Sequence, residues 1–222
     1  MIALAGLALL DLLTAEQRHW LAALGTRRSY QDGELIHRRG DRDPSMCVVI
    51  SGRVRLTRLH ADGTQTFVSS IQPGQHFGDV LLHGGRQRRT HDAVAVGAVR
   101  LDHYDADAFA KVLENPVVAL ALYRITALRL SGAMAMSDDL RALPREVHLA
   151  KILLSLRTQG NPPGTIECVQ DDLAALIGTS VMTLSKALGV LKRAGLIETG
   201  YRSLRIIDRK ALSAWLAARS PE

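Results

Sequence analysis

Two cysteines, Cys47 and Cys168, are all that the 222 residues contain, and no CxxC spacing accompanies them. A disulfide framework, a zinc ribbon and a cysteine-held iron–sulfur cluster are therefore excluded, and a reducing cytoplasm is the compartment that fits. The eight histidines form no HxH or HExxH pair, so no metal site is expected. Neither a GxSxG elbow nor a P-loop occurs, which predicts a protein that is not an enzyme. The opening run MIALAGLALLDLL lacks a basic start and is interrupted by Asp11 after about ten residues, too few to span a bilayer. It is expected to form an amphipathic helix packed on the first domain; a signal peptide and a membrane partner are not expected. Internal repeats and low-complexity segments are also missing.

What is present suits a soluble globular chain of one large or two small domains, with 47% hydrophobic and 23% charged residues. A formal charge of +6 and a pI near 9.7 favour a polyanionic partner. From Arg145 onward there are 11 Lys+Arg against 7 Asp+Glu, whereas the longer first part has 17 against 15. The positive excess leans toward the C-terminal part.

From Ser29 to Tyr104 glycines recur at turn-like intervals between short runs such as ELIHR, CVVISG, RVRLTRL, TFVSSI and AVAVGAVRLDHY. Strands without intervening helices predict an antiparallel sandwich or barrel, and HADGT is a hairpin signal. Helical patterning resumes at Asp107, stops at Pro116, and continues as a long apolar helix over residues 117–140. That helix has no wide charged face, so it needs cover on more than one side. A second copy of the same helix in a two-fold homodimer supplies it, with Ser131, Gly132, Ala133 and Ala135 allowing close approach; the alternative is a core helix of a monomer. Charged residues and Pro144 make residues 138–145 a hinge candidate.

The segment QDDLAALIGTSVMTLSKALGVL, residues 170–191, carries the most information. Leu173, Ala174 and Ile177 share one face of a short helix, Gly178 allows a sharp turn, and Thr179 or Ser180 caps a second helix. Leu184, Leu188 and Leu191 give that helix its buried stripe. This is the pattern of a helix-turn-helix reading double-stranded DNA; the alternative is an αα-hairpin in a core. KRAGLIETGYRSLRIID then reads as strand, turn, strand, a wing, and a short helix over residues 211–219 ends the chain.

Four motifs in this order, GELIHRRGD, ISGRVRL, PGQHFGDVLL followed by Arg89-Thr90, and the helix-turn-helix, resemble the cyclic-AMP receptor protein and fumarate-nitrate regulator (CRP/FNR) superfamily over nearly the whole length. The resemblance implies an α+β fold with an antiparallel β-jelly-roll or barrel sensor domain, a long dimerisation helix and a C-terminal winged helix-turn-helix. The expected boundaries are residues 1–116, 117–144 and 145–222. It implies a transcription regulator controlled by a small effector, with RNA polymerase as a further partner.

The third motif resembles the family's phosphate-binding cassette, Phe77, Gly78, Asp79 and Val80 with Arg89 and Thr90. Gly78 permits close backbone approach, amides at a short helix start and Thr90 can donate to phosphate oxygens, and Arg89 can add a bidentate charge-assisted contact. Asp79, where relatives carry Glu, can accept a hydrogen bond from a ribose hydroxyl but is one methylene shorter, so either a backbone shift makes up the shortfall or no ribose binds there; the alternative is an Asp79–Arg89 pair in an empty pocket. The family's adenine-contacting Thr-Ser pair matches Ala133 and Met134, neither with a hydroxyl, so discrimination among purines is expected to be weak. The effector class is thus a cyclic nucleotide, a cyclic dinucleotide or another small molecule. Haem, used by some relatives, is not expected, nor is the family's cluster-based oxygen sensing. In the reading helix Val181, Met182 and Lys186 stand where well-known relatives place Arg, Glu and Arg, so the DNA sequence read should differ. Ser180, Thr183, Gln170 and the wing's Arg202 are backbone-contact candidates. A nucleotide-binding regulatory protein without DNA contact is the rival class.

Overall fold

The computed structural model describes residues 7–59, 65–83, 88–156, 163–167 and 170–220. The HADGT turn, the opening MIALAG and most of GNPPG lie outside them. The described chain divides into two compact units at Leu130/Ser131, within the long helix.

In the first unit the described part of the apolar start, residues 7–13, is not the expected amphipathic helix. It is one 3-10 turn at Leu9–Leu12, and α1 (Ala15–Leu24) begins only after Thr14. The reason is a capping box: the Thr14 hydroxyl accepts from the Gln17 amide at 3.3 Å while the Gln17 side chain accepts from the Thr14 amide at 2.9 Å. Leu9, Leu13 and Leu21 still pack on the strands, as expected of that segment.

The strands are β1 (Thr26–Tyr30), β2 (Leu35–His37), β3 (Met46–Leu59), β4 (Gln65–Ile71), β5 (His76–Phe77) and β6 (Asp92–Tyr104), with the one-turn α2 (Val80–His83) between the last two. They form one antiparallel sheet of order β1-β6-β3-β4, with β2 also on β6 and β5 also on β3. CVVISG and RVRLTRL, which read as separate runs, are one strand, bent by register shifts between Val49 and Arg53. The two-residue period of β3 sorts its side chains: Met46 and Val48 join Leu9 and Tyr104 on one side, while Cys47 and Val49 join Phe77 and Leu101 on the other. The second side carries the cassette. Across the sheet, a half-open cavity of about 210 Å³ between α1 and the strands touches no expected site residue.

Asp105 caps α3 (Ala106–Glu114), accepting from the Ala108 amide at 2.9 Å, and α4 (Pro116–Ala142) follows. Val118, Ala121, Leu122 and Ile125 bury one face of α4 in the first unit's core. Leu120, Tyr123, Leu130 and Met134 remain 47, 70, 62 and 61% exposed. With exposed Ala127 they recur at spacings of three, four, three and four residues, the rhythm of a coiled-coil seam.

The second unit holds α5 (Arg145–Ser155), β7 (Thr165–Glu167), α6 (Gln170–Leu176), α7 (Val181–Arg193), β8 (Ile197–Gly200), β9 (Ser203–Ile206) and α8 (Arg209–Ala217). Gly178 turns between α6 and α7 at φ +64, where a Cβ would be strained, and the Thr179 amide closes the turn on the Ala174 carbonyl at 2.9 Å. Leu184, Leu188 and Leu191 of α7 are all buried, each worth about 2 kcal/mol of transfer free energy. The wing gains a strand that the sequence did not suggest, since β7 pairs with β9 to give the order β7-β9-β8.

Candidate functional site

Two sets of expected site residues cluster, one in each unit. In the first, Phe77 is buried on β5 with its ring 5.8 Å from His37. Gly78 follows at φ +87, and a Cβ there would lie 2.4 Å from the Ser45 carbonyl oxygen and 2.5 Å from Arg89 Nη1. Only glycine allows this approach. Arg89 is 3% exposed; Nη1 donates to the Ser45 carbonyl at 2.9 Å and Nη2 to the Ser45 hydroxyl at 2.6 Å. Among the described residues its Nε has no hydrogen-bond partner, and its ion-pair partner Asp43 is 4.0 Å away on a side chain 71% exposed. A buried guanidinium thus lacks a buried counter-charge, which costs several kcal/mol unless an anion supplies one.

Asp79 does not form the alternative pair with Arg89. Its carboxylate faces His76 Nε2 at 3.4 Å and Arg129 Nη1 at 3.7 Å. Burial works against the charge, but the hydrogen bond from His76 and the charge of Arg129 outweigh it and hold Asp79 below the ordinary carboxylate range. Val80 is 61% exposed at the start of α2, whose Leu81 and Leu82 amides already bond the Gly78 and Asp79 carbonyls. Thr90 is exposed and its hydroxyl lies 2.8 Å from His91 Nδ1. Ala133 and Met134 are exposed on α4 beyond Leu130, and fall in the other compact unit. Sequence reasoning missed Ser45 and Arg129; the one available signal was an arginine, one of three, in an otherwise apolar helix.

The interior beside the cassette is unusually rich in neutral imidazole. Burial, then the Arg89 charge, pushes His37 down to about 3, and burial, then the Arg28 charge, pushes His103 down to about 4. His103 sits between the Tyr30 hydroxyl at 3.0 Å and the Cys47 thiol at 3.4 Å. Both folded values lie below the ordinary 6.5, so the unfolded chain takes up protons first and stability falls as pH drops from 6.5 toward 4. Each histidine should cost about 1.4 kcal/mol per pH unit in that window. Urea unfolding of the first unit between pH 6.5 and 4.5 should show this slope, shallower by about 1.4 kcal/mol per pH unit in His37→Gln; a flat stability would contradict it.

In the second unit Ser180 is the cap of α7, accepting from the Thr183 amide at 3.3 Å, and the two hydroxyls are 3.0 Å apart. Val181 and Met182 are 38 and 69% exposed at the helix start, and Lys186 is exposed one turn on. Gln170 is exposed at the first position of α6. Arg202 is exposed at the wing tip at φ +50, next to Tyr201, which is 91% exposed. Arg205 is committed to Glu198 at 2.6 Å. One basic reading helix, its cap and a wing tip therefore present polar and apolar groups to solvent.

The profile of the cyclic nucleotide-binding domain matches residues 27–115, and that of the Crp-like helix-turn-helix domain matches residues 147–215. The cyclic AMP receptor protein of Thermus thermophilus is 33% identical over 188 residues, covering 84% of this chain and 86% of that protein. A CRP-like cAMP-activated global transcriptional regulator of Mycobacterium tuberculosis is 27% identical over 188 residues, covering 82 and 84%. Among solved structures, a transcriptional regulator of the CRP/FNR family from Thermus thermophilus matches with a TM-score of 0.72 at 25% identity, covering 88% of this chain and 100% of that one. Taken with the cassette, the long helix and the winged reader, these matches establish that the chain belongs to the CRP/FNR family of DNA-binding transcription regulators.

Proposed function

We propose that this regulator is a cytoplasmic homodimer switched by a small phosphate-bearing anion, a cyclic nucleotide or cyclic dinucleotide, held at Gly78 and Arg89. The observation that carries this reading is the buried Arg89, which among the described residues has no partner at Nε and no buried carboxylate to neutralise it. A phosphodiester oxygen supplies the missing charge. Phe77 packs beneath the site, while Val80 and Thr90 border it. The names of the Thermus and Mycobacterium relatives point to cyclic AMP as the ligand of those proteins. Here Ala133 and Met134 offer no hydroxyl to a purine amino group, so cyclic AMP and cyclic GMP should bind within about tenfold of each other. Calorimetry with cyclic AMP, cyclic GMP and cyclic di-GMP tests the reading. At least one should bind the wild type and bind Arg89→Ala about 100-fold more weakly; no heat from any of them would sink it.

The exposed seam of α4 supports dimerisation. The stretch from Pro116 to Asp139 is long and apolar enough to cross a bilayer by length and composition. One face is already committed to a protein core, which leaves the seam for a second copy. Two copies of α7 then meet half-sites one DNA turn apart. Val181 and Met182 make apolar contact with thymine methyls, Lys186 reaches a guanine or a phosphate, and Ser180, Thr183, Gln170 and Arg202 hold the DNA backbone. Of the hydroxyls of Ser180 and Thr183, one proton is spent between them, leaving one to donate. Effector binding acts through the hinge at residues 138–145, where Asp139 at the end of α4 pairs with Lys151 of α5 at 2.6 Å. RNA polymerase is the partner that reads the outcome.

A further inference from the structure

The cavity of about 210 Å³ between α1 and the strands lies on the face of the sheet turned away from the cassette. Its floor is apolar, formed by Leu10, by Leu21 of α1 and by Val48 and Ile50 of β3. The two-residue period of β3 sends these last two side chains here, while Cys47 and Val49 go to the cassette side. An apolar cavity of about 150 Å³ already takes a benzene ring, so this one has room for a small ring or a short chain.

The walls carry a few polar groups, and most of their charge is already spent. Arg27 Nε and Nη2 donate to the two carboxylate oxygens of Asp102 at 2.7 and 2.9 Å. Asp102 is 2% exposed with both oxygens engaged, so a ligand ammonium finds no free acceptor in it. Arg18 uses only its Nε, on the Leu13 carbonyl at 3.0 Å, and among the described residues its two terminal nitrogens have no acceptor. Tyr104 is 1% exposed and its phenol end lies against Gly25, where an added Cβ would stand 2.9 Å from Cζ. Its hydroxyl faces the cavity and makes no hydrogen bond among the described residues. Burial, then the charge of Asp102, pushes this phenol up, so it stays protonated and able to donate. A buried donor without an acceptor costs free energy that a ligand oxygen would restore.

We propose that this cavity is a second small-molecule site, which takes a small apolar monocarboxylate. The ring or chain lies on Leu21, Val48 and Ile50, and the carboxylate accepts from the Tyr104 hydroxyl and the Arg18 guanidinium. One uncommitted cation beside one neutral donor matches a single negative charge. A mostly apolar hollow with a few convergent polar groups is the usual form of such a site. It shares only strand β3 with the cassette and stands whether or not the cassette takes a nucleotide.

The test follows the methyl resonances of Leu21, Val48 and Ile50 in the full-length protein during titration with benzoate, hexanoate and benzamide, the uncharged match of benzoate. At least one carboxylate should shift these methyls saturably, with half-saturation near about 1 mM or below. Benzamide should bind about tenfold or more weakly than benzoate, and Arg18→Gln, a change at an exposed side chain, should remove that preference. Tyr104→Phe should weaken carboxylate binding about threefold to tenfold without lowering the unfolding temperature, because the hydroxyl has no protein partner to lose. No shift of these methyls at on the order of 20 mM of either carboxylate would overturn the site. Equal affinity for benzoate and benzamide, or undiminished benzoate binding in Arg18→Gln, would overturn the carboxylate class. Wild-type affinity in Tyr104→Phe would take the hydroxyl out of the site.

Discussion

Gly78→Ala should destabilise the sensor unit by about 3 kcal/mol and abolish effector binding. Two causes add. The left-handed φ of +87 costs an alanine roughly 1–2 kcal/mol. The new carbon would also stand 2.4 Å from the Ser45 carbonyl oxygen, a backbone atom fixed where β3 begins, and 2.5 Å from Arg89 Nη1. Either β5 lifts off β3 or Arg89 leaves its two Ser45 acceptors; in both cases the anion site is lost and affinity should fall about 100-fold or more. Gly33→Ala is the control, since Gly33 has a similar φ of +76 and nothing within 4 Å of its added carbon. It should cost about 1 kcal/mol and leave effector affinity unchanged. Urea unfolding with calorimetry separates the two variants. Equal losses would mean that backbone strain alone matters and that the cassette is not closely packed.

The second large effect is expected from the seam of α4. Leu130→Glu/Met134→Glu places four carboxylates across a two-fold axis at positions now 62 and 61% exposed and apolar. Neither side chain belongs to a buried cluster, so the fold should persist while association is lost. Sedimentation should give a dimer for the wild type at about 10 μM and a monomer for the variant, because like charges facing each other cost several kcal/mol. DNA binding should weaken about 100-fold or more, since the second half-site contact is no longer intramolecular. A variant that stays dimeric would put the interface elsewhere. A monomeric wild type would remove the dimer altogether.

Local periodicity explains what was legible beforehand. The cap at Ser180, the buried stripe of Leu184, Leu188 and Leu191, and the turn at Gly178 all follow from contacts within a few residues of one another. Strand β1 escaped notice because TRRSY has four exposed residues in a row and owes its conformation to pairing with β6 alone. Helix α1 was overlooked through an apolar run that pointed upstream, although the Thr14–Gln17 capping box was in view. The site was legible in its ends and not in its connections. Gly78 and Arg89 could be named from their motif, whereas Ser45 lies 44 residues from Arg89 and Arg129 lies 53 from His76. Only the folded chain shows that Asp79 serves Arg129 and that Arg205 is spent on Glu198.

Selection of bound sequences from a random DNA pool, with and without cyclic AMP, cyclic GMP and cyclic di-GMP, tests the central claim most directly. The wild type should enrich one two-fold symmetric sequence whose affinity changes about tenfold or more with at least one nucleotide, and that sequence should change nucleotide affinity by the same factor. Arg89→Ala should enrich the same sequence without any nucleotide dependence. Identical enrichment by the wild type under all conditions would contradict a phosphate-sensing regulator, and no enriched sequence would contradict specific DNA reading itself.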